Sequence, residues 1–238
     1  MQIFILQHIY ILFKPFSSRI EMKCTLLQWQ NLYKDISGLI VQASSYIDDK
    51  HDMWQPFPIG MSWAFTHHAH LKQSLQIGIH SATVLSAIRT STDSYRRGSM
   101  KVNRSKIIDT LSRNGIQNNE LHHEHYFTFL TSYKFVISPE GNGIDCHRHY
   151  EALLAGCIPI IEHNPLIEEK YKGCPVLYTT DYSEITEEYL QEKYEEMLHK
   201  EYDFSRLFLS FYSEEEQKLI KECGNYWLGQ NKIPMWYS

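Results

Sequence analysis

A strand, a helix and a second strand follow one another within residues 133–161, and this unit restricts the fold more than any other segment. The apolar run YKFVIS predicts a strand, CHRHYEALLA predicts a helix that Gly156 can end, and CIPII predicts a strand directly after it. Crossovers of this kind are right-handed and leave their two strands parallel. The unit therefore predicts an α/β domain with helices on the faces of a parallel sheet.

Other segments extend this alternation of strands and helices. SATVLSAIRT and PVLYT predict strands, whereas KVNRSKIIDTLSRNG, HHEHYFTFLTS, TEEYLQEKYEEMLHK and SEEEQKLIKECGNYW predict helices. Residues 48–60 contain acids, two prolines and a glycine, so we place the main internal boundary there. We expect residues 59–238 to form a Rossmann-like, doubly wound domain, and residues 1–58 to form an abbreviated N-terminal region.

Composition argues against several classes of protein. Of the 238 residues, 43% are hydrophobic and the net charge is −5, so the chain can bury a core and has no overall field that attracts nucleic acid. The cysteines are odd in number and form no C-x-x-C pair, which indicates neither a disulfide scaffold nor a zinc module. We expect buried or idle thiols at Cys24, Cys146, Cys157, Cys174 and Cys223.

The apolar start of the chain, MQIFILQHIYILF, is shorter than the roughly 20 residues that a membrane-spanning helix needs. It also lacks a basic leader and a small-residue cleavage site. We interpret Ile3–Phe13 as a buried strand, with a signal anchor as the alternative. The compartment is therefore open between the cytoplasm and the Golgi or endomembrane system.

Polar chemistry concentrates in the turn SPEGNGID, directly after the strand YKFVIS. Ligands of open α/β sheets bind outside the carboxyl ends of the strands, where this turn lies. Gly141 and Gly143 permit positive φ and the close approach of a ligand, and Asp145 is the predicted N-cap of the next helix. The positive end of that helix favours phosphate, and Arg148 adds a guanidinium that can bind phosphate oxygens bidentately.

Glu151 lies three residues after Arg148, so both side chains share one face of the predicted helix. A carboxylate only accepts hydrogen bonds and suits the paired hydroxyls of a ribose. The pattern is not the G-x-G-x-x-G fingerprint, because Cys146 stands at the third glycine, and no G-K-[ST] of a P-loop occurs. The turn indicates a nucleotide diphosphate site, with a purely structural turn as the alternative.

The segment SPEGNGIDCHRHYEALLAGCIPIIE resembles the donor-binding signature of exostosin-like GT-B glycosyltransferases. The matching residues are Ser138, Pro139, Gly141, Arg148, Glu151, Ala152, Leu153, Ala155, Gly156, Cys157, Ile158 and Pro159. With less precision the resemblance extends from about Pro58 to Tyr194. It implies that a nucleotide-sugar donor binds at Ser138, Glu140, Gly141, Asn142, Gly143, Asp145, Arg148 and Glu151, and that Arg97 in YRRGSM shares phosphate binding with Arg148.

The departures from the family pattern bear on mechanism. Retaining GT-B enzymes carry a glutamate eight residues before the position of Glu151, where this chain has Gly143. The resemblance therefore implies an inverting transfer to a glycan or protein-linked acceptor, without a metal cofactor. GT-B enzymes have two Rossmann-like domains, and the first usually supplies the catalytic base. The base is therefore unidentified: we expect either that it lies in a shortened N-terminal region, or that the chain is a fragment, a degenerate copy or one partner of a pair. Position alone makes Asp48, Asp49, His51 and Asp52 candidates.

Two further functions stay open. A non-catalytic nucleotide-sugar or glycan-binding module would use the same turn without turnover. A metal enzyme would use the histidine clusters, but none is H-E-x-x-H, so surface or core histidines explain them better. The clusters comprise His67, His68 and His70; His122, His123 and His125; and His147 and His149.

Overall fold

The structure is a computed structural model that describes residues 40–41, 54–55, 60, 75–92, 97, 102–141 and 144–218. Its strands are β1 (Ile40–Val41), β2 (Trp54–Gln55), β3 (Ala82–Leu85), β4 (Tyr133–Ile137), β5 (Ile158–Glu162) and β6 (Leu177–Thr179). Its helices are α1 (Arg104–Arg113), α2 (His123–Leu130), α3 (His147–Leu154), α4 (Pro165–Lys170) and α5 (Glu187–Leu198). Short 3₁₀ helices span Thr90–Thr92, Tyr182–Glu184, Ser205–Leu207 and Leu209–Phe211.

Four strands form one parallel sheet in the order β3-β4-β5-β6. Phe135 of β4 is the register partner of Ile158, and Ile160 of β5 is the partner of Leu177. The predicted α/β fold with a parallel sheet is therefore confirmed. Among the described strands of this sheet the order follows the chain, so the reversal of order that defines a doubly wound sheet does not occur within them. Strands β1 and β2 form a separate parallel pair.

Helices cover both faces of the sheet, because successive side chains of a strand point to opposite faces. On β4, Val136 belongs to one apolar cluster, whereas Phe135 and Ile137 belong to the other. The first cluster includes side chains of α2, α3 and α4, and the second includes side chains of α1 and α5. The core thus lies in two layers on either side of a buried sheet, as expected for parallel strands.

Local signals account for most helix boundaries. The side chain of Asn103 caps α1 by accepting a hydrogen bond from the Lys106 amide at 3.0 Å, and Thr186 caps α5 in the same way. Gly156 follows α3 with φ of 79°, in the left-handed region that often ends helices. Helix α5 packs back over β3, and Tyr194 of α5 meets the Phe135 ring edge-on at 5.8 Å.

Most predicted elements within the described residues are confirmed, including all four strands of the main sheet. The short helix α4 was not predicted, and it begins at Pro165, whose fixed φ suits the first turn of a helix. The strand predicted for Ile3–Phe13 lies outside the described residues. None of the helices in the described part of the chain is long and apolar enough to cross a membrane.

Replacing Leu153 by alanine tests the layer between α3 and the sheet. Leu153 is 0% exposed, so Leu153→Ala should lower the free energy of unfolding by about 2–5 kcal/mol through lost burial and the cavity left behind. The matched control is Leu198→Ala, at a leucine that is 38% exposed, with an expected loss below about 1 kcal/mol. Urea unfolding measures both; equal losses would contradict this assignment of the core.

Candidate functional site

The turn after β4 is fixed by a buried arginine that was not predicted as a site residue. Arg104, at the start of α1, is 5% exposed. Its Nε donates to the Glu140 carbonyl at 2.9 Å, and its Nη2 donates to the Pro139 carbonyl at 3.2 Å. Its Nη1 donates to the carbonyl of Arg89, in the loop after β3, at 3.2 Å. One guanidinium therefore joins the loops that leave two neighbouring strands.

Gly141 serves close packing and does not use the positive φ that a glycine permits. Its φ lies outside the left-handed region in which the positive-φ glycines of the described chain are found. A Cβ at Gly141 would lie 3.1 Å from Nη2 of Arg104 and 3.3 Å from Sγ of Cys146. A larger residue would therefore push against the guanidinium that orders the turn. Gly143 and Asn142 lie outside the described residues.

Arg97 binds acidic groups at the carboxyl edge of the sheet. Its Nη1 forms an ion pair with Glu162, at the end of β5, and lies 3.6 Å from Oε2 of Glu140. Its Nη2 donates to the Glu140 carbonyl at 3.2 Å, and the Glu140 amide donates to Oε2 of Glu162. With Arg104 this edge cluster contains two arginines and two glutamates, so its formal charges cancel.

Burial dominates the electrostatics of the edge cluster. It raises the pKa of Glu162 above the usual range, an effect that Arg97 opposes and Glu140 reinforces. Burial also raises the pKa of Tyr182, whose hydroxyl has no hydrogen-bond partner. Glu162 and Tyr182 were not predicted as site residues. The signal for Glu162 was its place at the carboxyl end of the strand after the βαβ helix.

Asp145 is not the N-cap of α3, contrary to the prediction. The cap is Cys146, without a side-chain cap hydrogen bond, and Asp145 is 2% exposed beneath the turn. Its carboxylate accepts hydrogen bonds from Nζ of Lys170 and from the hydroxyl of Tyr171. Although burial opposes ionisation, the Lys170 charge and these hydrogen bonds set the pKa of Asp145 below its usual value. The Asp145 carboxylate thus binds Lys170 of α4, which is remote in sequence, and does not cap α3.

Ser138 is fully buried and bonded to a buried histidine. Its hydroxyl lies 2.7 Å from Nδ1 of His149, and Nε2 of that ring lies 3.4 Å from the Ile144 carbonyl. A carbonyl only accepts, so Nε2 carries the proton and Nδ1 accepts from Ser138. Burial lowers the pKa of His149 to about 4, which leaves the ring neutral at pH 7. Ser138 and His149 therefore support the turn from within.

Arg148 lies in different surroundings from Arg97. Its Cζ is 4.9 Å from the centroid of the Tyr126 ring on α2, a cation–π geometry. Its Nη1 is buried without a hydrogen-bond partner, although Arg148 as a whole is only half-buried. Glu151 lies one turn further along α3 and is 5% exposed. The structure thus brings Arg148 and Glu151 together on α3, whereas Arg97 belongs to the edge cluster.

The described histidines do not form a metal centre. His147 bonds the Gly60 carbonyl through Nδ1 at 2.8 Å, and His122 and His125 meet edge-on with ring centroids 6.5 Å apart. Among the described residues, no group of three histidine, cysteine or acidic side chains could hold a metal ion. The three cysteines in that part of the chain, Cys146, Cys157 and Cys174, are free thiols. The cluster at His67, His68 and His70 and the base candidates at 48–52 lie outside it.

Comparison with known proteins assigns no family to the chain. No family model matches it, and no curated protein matches it significantly.

The buried His149 predicts a loss of stability in acid. Its folded-state pKa lies below the ordinary value of 6.5, so the unfolded chain takes up a proton first as the pH falls from about 6.5 towards 4. We expect this residue alone to remove about 2 kcal/mol of unfolding free energy between pH 7 and pH 5. Urea unfolding of wild type and His149→Asn at both pH values measures how much the free energy of unfolding of each protein changes with pH.

The asparagine keeps an acceptor for the Ser138 hydroxyl but does not titrate. The matched control, His125→Asn, changes an exposed histidine on α2 and should leave the wild-type pH dependence intact. Parallel pH profiles for wild type and His149→Asn would contradict the neutral, buried state of the ring.

Proposed function

We propose that the turn and the first turn of α3 bind the diphosphate of a nucleotide sugar, and that the protein is a glycosyltransferase. The observation that carries the proposal is the state of Arg148: a half-buried guanidinium at the start of α3 whose buried Nη1 has no hydrogen-bond partner. Buried polar groups are nearly always paired, so such a group favours an anionic ligand. The helix N-terminus beside it favours the same charge.

The proposed division of labour differs from the one expected from sequence. Arg97 is neutralised by Glu140 and Glu162, so we no longer expect it to bind phosphate. Ser138 and Asp145 are bonded within the protein and shape the turn from beneath. Arg148 and the start of α3 would bind the diphosphate. Glu151 would accept hydrogen bonds from ribose hydroxyls.

The proposed reaction follows from this placement. A hydroxyl oxygen of a glycan acceptor attacks the anomeric carbon, the bond from that carbon to the diphosphate oxygen breaks, and a base takes the hydroxyl proton. The nucleoside diphosphate leaves with its bonding electrons. Arg148 and the dipole of α3 would stabilise the negative charge that develops on it. The exostosin-like resemblance and the position of Gly143 support an inverting GT-B enzyme, a finer statement that also belongs to the proposal.

Binding of nucleotides tests the proposal directly. We expect calorimetry to detect binding of UDP or GDP to wild type, and Arg148→Ala to weaken it at least about tenfold, because hydrogen bonds to charged groups contribute about 1.5–3 kcal/mol. Glu151→Gln should weaken nucleotide binding severalfold but leave binding of inorganic pyrophosphate unchanged. The matched control, Arg113→Ala, removes an arginine that bonds only within α1 among its described contacts.

A folded wild-type protein that binds neither nucleotide at millimolar concentration would exclude the proposal. If wild type and Arg148→Ala bind the nucleotide with equal affinity, the nucleotide site lies elsewhere and Arg148 at the start of α3 does not bind the diphosphate.

A binding module without turnover is the second candidate. It is favoured by ion pairs that engage carboxylates at the turn: Arg97 with Glu140 and Glu162, and Lys170 with Asp145. Incubation of the protein with the nucleotide sugar that it binds separates the candidates. Release of free nucleoside diphosphate, alone or with an acceptor, indicates the enzyme, whereas binding without release indicates the module.

A further inference from the structure

Tyr126 of α2 lies under the guanidinium of Arg148 and has a buried polar atom of its own. The residue is 6% exposed, and its hydroxyl has no hydrogen-bond partner. Its ring centroid is 4.9 Å from Cζ of Arg148. Neighbouring side chains on two different helices therefore carry one unsatisfied group each, namely the Tyr126 hydroxyl and Nη1 of Arg148.

The chemistry of these two groups selects the missing partner. A guanidinium nitrogen only donates hydrogen bonds, and a tyrosine hydroxyl can donate one. The Arg148 guanidinium lies close enough to the hydroxyl to oppose the rise in pKa that burial imposes on Tyr126, but no hydrogen bond of good geometry joins the two atoms or links either one to the Glu151 carboxylate. Leaving buried donors unpaired is costly, and native structures rarely tolerate it without a ligand, ion or water. A group that offers several acceptor oxygens and negative charge would satisfy both donors, and a phosphate is such a group.

We propose that Tyr126 and Arg148 together form an oxyanion site between α2 and α3, in which both donate hydrogen bonds to oxygens of one phosphate group. The face of the ring orients the guanidinium through the cation–π contact, and the hydroxyl supplies the second donor. The α3 N-terminus adds a favourable dipole. The identification of the phosphate as part of a nucleotide diphosphate rests on the proposed function, whereas the site itself requires only the anion.

The two parts of the Tyr126 side chain can be separated by substitution. Tyr126→Phe removes the hydroxyl and keeps the ring, and Tyr126→Leu removes both. The matched control is Tyr189→Phe, which removes a hydroxyl from α5, a helix on the other face of the sheet. Affinities for inorganic pyrophosphate and for UDP are measured by calorimetry on the full chain.

We expect Tyr126→Phe to weaken both ligands about tenfold, as for the loss of one hydrogen bond to a charged group. Tyr126→Leu should weaken them further, and Tyr189→Phe should match wild type. Pyrophosphate binding that is equal in wild type and Tyr126→Phe would overturn the inference, as would a wild type that binds neither ligand. If UDP binds no better than pyrophosphate while Tyr126→Phe still weakens pyrophosphate, the oxyanion site stands and the nucleotide function fails.

Thermal unfolding without ligand provides a second, independent measurement. If the hydroxyl is unsatisfied in the ligand-free protein, Tyr126→Phe should keep or raise the unfolding temperature, because it removes a buried polar group that has no partner. Pyrophosphate should raise the unfolding temperature of wild type more than that of Tyr126→Phe. A lower unfolding temperature for ligand-free Tyr126→Phe would mean that the hydroxyl is bonded within the protein, and would overturn the site.

Discussion

The three hydrogen bonds from Arg104 to backbone carbonyls determine how the carboxyl edge of the sheet is built. A buried guanidinium must have acceptors, and these come from the loop after β3 and the turn after β4. The turn must therefore approach α1 closely, which explains why a residue without a Cβ stands at Gly141. One guanidinium thus fixes both the loop after β3 and the turn after β4 as far as Gly141.

Charged groups around α3 differ in whether they are paired within the protein. At the sheet edge, arginines and glutamates neutralise each other, so that surface offers little to a phosphate. Beneath the turn, Asp145 and Lys170 form a buried ion pair. The net contribution of such a pair to stability is small, but removing one partner is strongly destabilising because it leaves a buried charge unpaired. On the side facing α2, the Tyr126 hydroxyl and Nη1 of Arg148 are buried without hydrogen-bond partners. The paired groups maintain the fold, whereas the two unpaired donors are the ones that we propose bind a ligand.

The fold was largely predictable because apolar periodicity is a local property. The alternation seen at Phe135, Val136 and Ile137 specifies a strand buried on both faces. For the candidate site, the placement of Arg148 and Glu151 on one helix was predictable because they are only three residues apart. The cap at Asp145 was wrong because Lys170, which binds it, is remote in the chain. Arg104 had a visible signal, since it shares the buried face of α1 with Ile107 and Leu111, a position where charge needs internal acceptors.

The packing of α5 over β3 has a consequence for the order in which the chain can fold. Strands β3 to β6 pair in the order of synthesis, so each can join the sheet as it emerges. One helix that packs on β3, α5, is however made after all four strands. Loop closure over such a separation is slow. The first strand of this sheet thus waits longest for its full set of neighbours, and its contacts with α5 form only after α5 has been translated.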